Sequence, residues 1–569
     1  MKKLLFVISA LAFIVGCTPK IGNNAMNVVI PAPNTVIATD GVVTFKGGVE
    51  ITHKGYDKKI ALLENSLKEK FNIENNGKGV NITIIVDESS AIAEEGYLLN
   101  ISKKGINITA STDAGAFYAT QTLIQLMEDG KTENGIEIGY QTIDDAPRFA
   151  FRSLMLDESR HFFGEEEVLR ILDAMAGIKM NVLHWHLTDD AGWRIEIKQY
   201  PLLTEVGSKR SDTEAGTWKS GKTQGKPHEG FYTQEQIKRI VKYAKERNIK
   251  VIPEIEMPGH ASAAIAAYPW LSTKNETIEV PVTFGVHYNI YNVIDPKVEE
   301  FLQNVVTEVI ELFDADIIHI GGDEVRFNHW EEDRKMAAYK KQKGFSSFMD
   351  IQIEFTNKMS NFIETKGASM MGWNEILGKN LHEGIISFEE TSNKVASNVV
   401  VQFWKGDIAQ LTEAAQGGYK LVNSYHVQTY LDYTYRSIPL KKAYSFNPIP
   451  DGLAEEYHKN IYGLGCQMWT EWCPEISDVH RQVFPRLAAY AEVGWSSLDV
   501  KDYDSFMSRL EPLTKVWEKD GIVGYSLETI IAEEKEAAEK EAAKKKAAEE
   551  KAAAEKAAAE KDTTEVVAE

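Results

Sequence analysis

Asp316-Ile317-Ile318-His319-Ile320-Gly321-Gly322-Asp323-Glu324-Val325 is a short apolar run that ends in two glycines and two adjacent carboxylates. The apolar residues read as a buried strand, the glycines as a place where backbone meets a ligand closely, and the acids as groups at the strand's mouth. A strand turns successive side chains to opposite faces, so Asp323 and Glu324 cannot both face one ligand while the strand stays regular. If they share a ligand, the strand must break into loop around them, and each acid must have its own task.

Working outward, the same kind of run recurs. Phe151–Leu156, Asn181–Leu187, Lys250–Glu256, Asp316–Gly321, Ser369–Trp373, Val399–Trp404, Lys420–Ser424 and Tyr462–Trp469 all read as apolar strands, with helical stretches between many of them. One such stretch, 234–247, opens with Thr233 and Gln236 at capping-box spacing. Eight strands alternating with helices predict an α/β chain with a (β/α)8 TIM barrel over residues 147–520. An open doubly wound sheet is the alternative, but no Gly-rich phosphate loop follows the first strand. Residues 25–145 read as a smaller α+β domain. They hold β-rich runs at 80–86, 96–101 and 105–110 and a helix over 114–127. The segments 218–230 and 272–292 read as long loops, where barrels usually carry function.

In such a barrel the active site lies at the C-terminal ends of the strands, and the polar residues gather there. The first four strands exit through Asp157-Glu158-Ser159-Arg160-His161, His184-Trp185-His186-Leu187-Thr188-Asp189-Asp190, Glu254-Ile255-Glu256-Met257-Pro258-Gly259-His260 and Gly322-Asp323-Glu324. Any one of these could be a packed or solvated group, but four on one rim argue for chemistry. Later strands end in Trp373, Trp404 and Trp469 beside polar residues. A single Trp is usually core; three at strand ends suggest an aromatic-walled pocket. Flat sugar faces stack on such walls, while carboxylates and Arg bind hydroxyls by charge-assisted hydrogen bonds. The residues alone therefore point to a carbohydrate pocket with an acidic pair at its floor.

The 569 residues carry a net charge of −21, with 43% hydrophobic and 10% aromatic residues. That is a packed globular composition. The acidity argues against nucleic acid as a partner, since phosphate neutralisation needs clustered Lys and Arg. Lys2-Lys3 precede an apolar run from Leu4 to Val15 and then Gly16-Cys17. Residues 1–17 thus read as a signal peptide whose Ile14-Val15-Gly16-Cys17 resembles a bacterial lipobox. The expectation is an exported lipoprotein, tethered by lipid at Cys17 to the periplasmic side or the cell surface. Cys466 and Cys473 are close enough to permit a disulfide, which sequence cannot establish. The tail over 533–569 is almost wholly Ala, Glu and Lys through Lys561, and reads as a solvated, helical or disordered spacer.

The chain resembles glycoside hydrolase family 20, the β-N-acetylhexosaminidases. The matching motifs are Leu156-Asp157-Glu158-Ser159-Arg160-His161-Phe162-Phe163, the run from His184 to Arg194, Pro253-Glu254-Ile255-Glu256-Met257-Pro258-Gly259-His260, and His319 to Val325. Gly372-Trp373, Tyr430-Leu431-Asp432 and Trp469-Thr470-Glu471 agree as well. The resemblance covers about residues 28–520, leaves out the Ala/Glu/Lys tail, and implies a substrate-assisted mechanism outside the ordinary two-carboxylate scheme. On it the substrate's own acetamido oxygen attacks the anomeric carbon and forms an oxazolinium ion. Glu324 is the general acid and then the base, Asp323 orients the acetamido N–H and stabilises the developing charge, and Asp189 and His260 hold and tune the acid. Arg160 is expected on the 3- and 4-hydroxyls, Asp432 and Glu471 on the remaining ring hydroxyls, and Tyr430 on the acetamido oxygen. Trp373, Trp404 and Trp469 are expected to wall the pocket. The implied partners are glycans ending in β-linked N-acetylhexosamine, cleaved from the non-reducing end with retention; no metal and no cofactor is called for.

Two rival readings carry different chemistry. His184-x-His186 places two imidazoles on one strand face, as in metal hydrolases, and His260 and His319 could complete a ligand set. The chain, however, offers no bridging Lys at a strand end in the expected place. A non-catalytic glycan-binding or wall-spacing lipoprotein, with the tail as its working part, is opposed by the intact set of Arg160, Asp189, His260, Asp323 and Glu324.

Overall fold

The computed structural model describes residues 28–378 and 391–565, with 556–565 as backbone only. The signal peptide and Cys17 lie outside the described residues. Eight parallel strands close into a barrel: β1 (Phe151–Asp157), β2 (Val182–His186), β3 (Lys250–Glu254), β4 (Ile317–His319), β5 (Ser369–Trp373), β6 (Val400–Phe403), β7 (Lys420–Asn423) and β8 (Ile461–Met468), with β8 pairing back onto β1. Each of the eight apolar runs supplies one strand.

The period-two alternation of these strands divides the barrel interior into an apolar end and a polar end. Phe151, Val182, Ile252, Ile317, Met371, Val400 and Val422, one from each of β1 to β7, form an apolar plug, and Tyr462 of β8 packs against it. Two and four residues further along, the inward positions turn polar: His184 and His186 on β2, Glu254 on β3, His319 on β4 and Gln402 on β6 are all buried. The intervening residues of the same strands, such as Leu183, Trp185 and Ile318, belong to the larger core under the helices. The barrel interior is therefore filled by apolar side chains toward its N-terminal end and lined by polar ones toward its C-terminal end.

The helix Gln234–Glu246 has the expected reciprocal capping box, with Thr233 accepting from Gln236 N and the Gln236 side chain accepting from Thr233 N. Before the barrel stands a mixed sheet in the order Thr35–Phe45, Gly135–Asp145, Tyr97–Ser102, Gly105–Ala110, Val80–Val86, Gly48–Lys54, Glu74–Asn75. The helix Asp113–Asp129 packs on it, capped by Thr112. Two ion pairs, one of them fully buried, join this domain to the barrel. Arg152 of β1 meets Glu95 at 2.8 Å, and Lys179 meets Asp145 at 3.1 Å, with Trp495 Nε1 donating to the same carboxylate at 2.9 Å. Cys466 and Cys473 are both buried free thiols. The C-terminal helix spans Leu527–Glu565 and starts before the low-complexity run. Its first turns dock: Ile530 is buried, and Glu534 accepts from Tyr503 Oη at 2.7 Å and Lys441 N at 3.2 Å. Beyond that the described side chains are almost all exposed.

Candidate active site

Strand β4 stops at His319, two residues short of the predicted end. Gly321, Gly322 and Glu324 then adopt φ of +65°, +89° and +54°. This left-handed backbone undoes the strand alternation and turns two neighbouring acids toward one imidazole. His260 Nε2 lies 3.7 Å from Glu324 Oε2 and 3.9 Å from Asp323 Oδ2. Both glycines are also required by space. A Cβ on Gly321 would fall 1.7 Å from Glu256 Oε2, and one on Gly322 would fall 2.5 Å from Ile376 Cγ2.

The far side of His260 faces two more acids. Its Nδ1 lies 3.1 Å from Asp190 Oδ2 and 3.2 Å from Asp189 Oδ1. The other oxygen of Asp190 accepts from Ser262 N at 2.9 Å and from Ser262 Oγ, so Asp190 is the carboxylate built to orient this ring. Asp189 is shared: Arg160 meets it at 2.8 Å and His186 Nε2 at 3.0 Å. The sequence reading named Asp189 and passed over Asp190. Burial alone would lower the His260 pKa, but Asp189, Asp190 and Glu324 outweigh it and raise it well above the ordinary value. Burial pushes the Asp323 carboxyl up to about 6; His260 pulls against that shift while Glu324 and Glu254 add to it. Asp323 Oδ1 is buried and meets no hydrogen-bond donor from any other described residue.

Arg160 joins this acidic floor to an aromatic wall. Its guanidinium also reaches Asp157 at 3.4 Å and Glu471 at 3.9 Å, and lies 4.9 Å from the ring centre of Trp469. Trp469 in turn neighbours Trp373 at 6.0 Å and Tyr430 at 6.2 Å, and the Tyr430 ring lies nearly parallel to Trp404, at 11° and 6.0 Å. Asp432 sits close to Glu471. Burial raises both carboxyls above the ordinary range; for Asp432 the Glu471 charge adds to this, while for Glu471 Arg160 opposes it. Asp432 Oδ1 is a second buried acceptor with no donor from any other described residue. All eleven barrel residues named from the sequence thus lie in one connected neighbourhood.

Three supporting groups were not singled out. Glu375 accepts from Trp404 Nε1 at 3.2 Å and from the Glu324 backbone N–H, while Asn374 Oδ1 accepts from Trp404 N at 3.0 Å. This pair fixes both the acid's backbone and the aromatic wall. Below the floor, Glu254 gathers His184 at 2.9 Å, His186 at 2.5 Å and His319 at 2.8 Å, and accepts from Trp373 Nε1 at 2.8 Å. His184, Glu254 and His319 have the spacing of a ligand set, as do His186, Glu254 and Glu256, and Asp189, Asp190 and His260. In the first set the Glu254 oxygens are already engaged by imidazoles and the Trp373 indole. His260, which the metal reading would recruit beside His184 and His186, faces Asp189 and Asp190 instead, and Asp189 stands between it and His186.

The family model for the glycosyl hydrolase family 20 catalytic domain matches residues 149–498, and that for domain 2 of the same family matches 27–146. The chain belongs to glycosyl hydrolase family 20. It is 34% identical to a beta-hexosaminidase of Porphyromonas gingivalis over 80% of this chain and 57% of that protein, so it spans little more than half of that relative. It is 32% identical to a beta-hexosaminidase of Vibrio furnissii over 83% of this chain and 76% of the relative. Among solved structures, a family 20 exo beta-N-acetylglucosaminidase from Vibrio harveyi in complex with N-acetylglucosamine superposes with a TM-score of 0.76 at 29% identity, covering 88% of this chain and 79% of the other.

Proposed function

We propose that the chain is a retaining β-N-acetylhexosaminidase that releases terminal, non-reducing β-linked GlcNAc and GalNAc by substrate-assisted catalysis. The observation that carries this reading is the buried Asp323 Oδ1. A buried acceptor without a donor costs about 1–3 kcal/mol, and here it stands beside an aromatic wall suited to an N-acetyl group. The acetamido N–H supplies the missing donor. That bond aims the acetamido oxygen at the anomeric carbon, and the Asp323 charge then stabilises the cationic ring that forms. Glu324 protonates the departing oxygen and afterwards takes a proton from the attacking water. His260, held by Asp190 and Asp189, tunes that exchange. Arg160, Asp432 and Glu471 hold the ring hydroxyls, and the unpartnered Asp432 oxygen is an acceptor for one of them. Tyr430 donates to the acetamido oxygen, and Trp373, Trp404 and Trp469 enclose the sugar.

The two acids are expected to fail differently. Glu324→Gln slows substrates with poor leaving groups most, because those depend on protonation, whereas Asp323→Asn slows all substrates alike. Each loses on the order of 10² or more in turnover. Steady-state kinetics on aryl glycosides of graded leaving-group pKa measure the difference. Near-normal turnover by either variant refutes its assignment.

The lipobox-like Ile14-Val15-Gly16-Cys17 supports a further part of the proposal: the mature enzyme begins at Cys17 and is held on the periplasmic side of a membrane or on the cell surface by acyl chains. Several chains give stable attachment where one gives only marginal binding.

A further inference from the structure

The sugar pocket is enclosed on two sides, by Arg160, Asp432 and Glu471 and by Trp404, Tyr430 and Trp469. A departing group must lie beside Glu324, since on the proposed mechanism Glu324 protonates its oxygen, and the loop 272–292 reaches that neighbourhood through Pro258 and Ser262, on either side of His260. Two residues there have no part in the mechanism above. Tyr288 is 50% exposed, a large ring on an otherwise anchored loop. Its neighbour Asn289 donates from Nδ2 to Ser262 Oγ at 3.2 Å, and Tyr291 N donates to Pro258 O at 2.9 Å, so the loop is tied to the same segment that carries His260. Arg326 follows Glu324 by two residues, and its guanidinium carbon lies 5.9 Å from the Tyr288 ring centre. The His329 ring stands on the same Tyr288 at 6.3 Å.

Arg326 is half-buried, and its Nε is buried with no acceptor among the described residues. No described carboxylate pairs with it either, in a chain where 84 acids outnumber 63 Lys and Arg. Other Arg residues near the site are well supplied: Arg160 has three carboxylates, and Arg194 and Arg210 donate to backbone carbonyls. A guanidinium fork matches a carboxylate's two oxygens, and an exposed phenol ring offers a face for a pyranose to stack on.

We infer that Tyr288 and Arg326 form the seat of the departing sugar, and that this sugar carries a carboxylate. The inference rests on the hexosaminidase reading, so its test separates the two. Wild type is given β-GlcNAc disaccharides whose second sugar bears either a 3-O-lactyl ether or a uronic C6 carboxylate, each beside its uncharged amide. The expected kcat/KM ratio of acid to amide is about tenfold or more at low salt for one of the pairs, the worth of one charge-assisted hydrogen bond. Which pair shows it identifies the source of the carboxylate. Arg326→Gln should bring that ratio to about one, and Arg326→Lys should keep part of it. Reading a ratio within each variant cancels any general loss of active protein. A wild-type ratio at or below one for both pairs, or a ratio unchanged in Arg326→Gln, overturns the inference. Release of p-nitrophenol from the N-acetyl-β-glucosaminide by wild type reports on the hexosaminidase reading separately. Aryl activity without acid preference refutes the seat alone, and no aryl activity refutes both.

Discussion

His260 stands between a fixed carboxylate and a working one, and that position sets the pH behaviour of the site. On one side Asp190, pinned by Ser262, keeps the imidazole oriented. On the other, Asp323 and Glu324 sit at 3.9 and 3.7 Å, close enough to feel its charge and loose enough for a substrate to tighten the contact. On the proposed mechanism Asp323 must be ionised to accept the acetamido N–H and to stabilise a cation. Burial lifts its carboxyl to about 6, so protons compete with substrate on the acidic side. Activity is present above that value and lost as pH falls through it. We expect kcat/KM for the aryl N-acetyl-β-glucosaminide to decline below about pH 6, because that quantity reports groups of the free enzyme. A pH profile that stays flat down to about pH 4 would show that Asp323 does not titrate there.

The break at the end of β4 is the element that makes adjacent acids useful. Gly321 supplies a left-handed φ and leaves room for the Glu256 carboxylate. Gly321→Ala should cost about 1–2 kcal/mol in backbone conformation and about 1–3 more in displaced packing. Thermal denaturation and turnover should therefore fall together. A variant with wild-type Tm and turnover would show that the break tolerates a side chain. The eight strands were legible because each is a short apolar run with turn residues at its ends, and the Gly-Gly-Asp-Glu string announced the break. What lay hidden depends on partners from other strands. Glu254 looks like any strand-end acid until β2 and β4 bring three imidazoles to it. Asp190 and Asp189 are neighbours of the same type, and only the Ser262 contact separates their tasks. Glu375 follows a Trp already noted, yet its bond to the Glu324 backbone spans two strand ends. The last strand residues were over-extended at β4 because Ile320 continues the apolar pattern while its backbone leaves the sheet.

At the scale of the whole molecule, a barrel joined to an N-terminal sheet by ion pairs carries a long C-terminal helix. The Arg152–Glu95 pair and the fully buried Lys179–Asp145 pair tie the N-terminal sheet to the barrel. The helix from Leu527 docks through Ile530 and Glu534 and then runs on through Ala, Glu and Lys. Its 39 residues would extend about 58 Å. If Cys17 carries the proposed acyl chains, wild type should sediment with membranes, and Cys17→Ser should be soluble or keep its signal peptide. A Cys17→Ser protein processed and membrane-bound like wild type rules the anchor out. In the proposed mechanism the acetamido group of the substrate is the nucleophile. The most direct test of this role compares turnover of p-nitrophenyl N-acetyl-β-D-glucosaminide with that of p-nitrophenyl β-D-glucoside, identical in leaving group and lacking only that nucleophile. Cleavage of the first is expected and, at most, a rate lower by several orders of magnitude for the second, the scale of a lost intramolecular nucleophile. Comparable turnover of the two would contradict the mechanism.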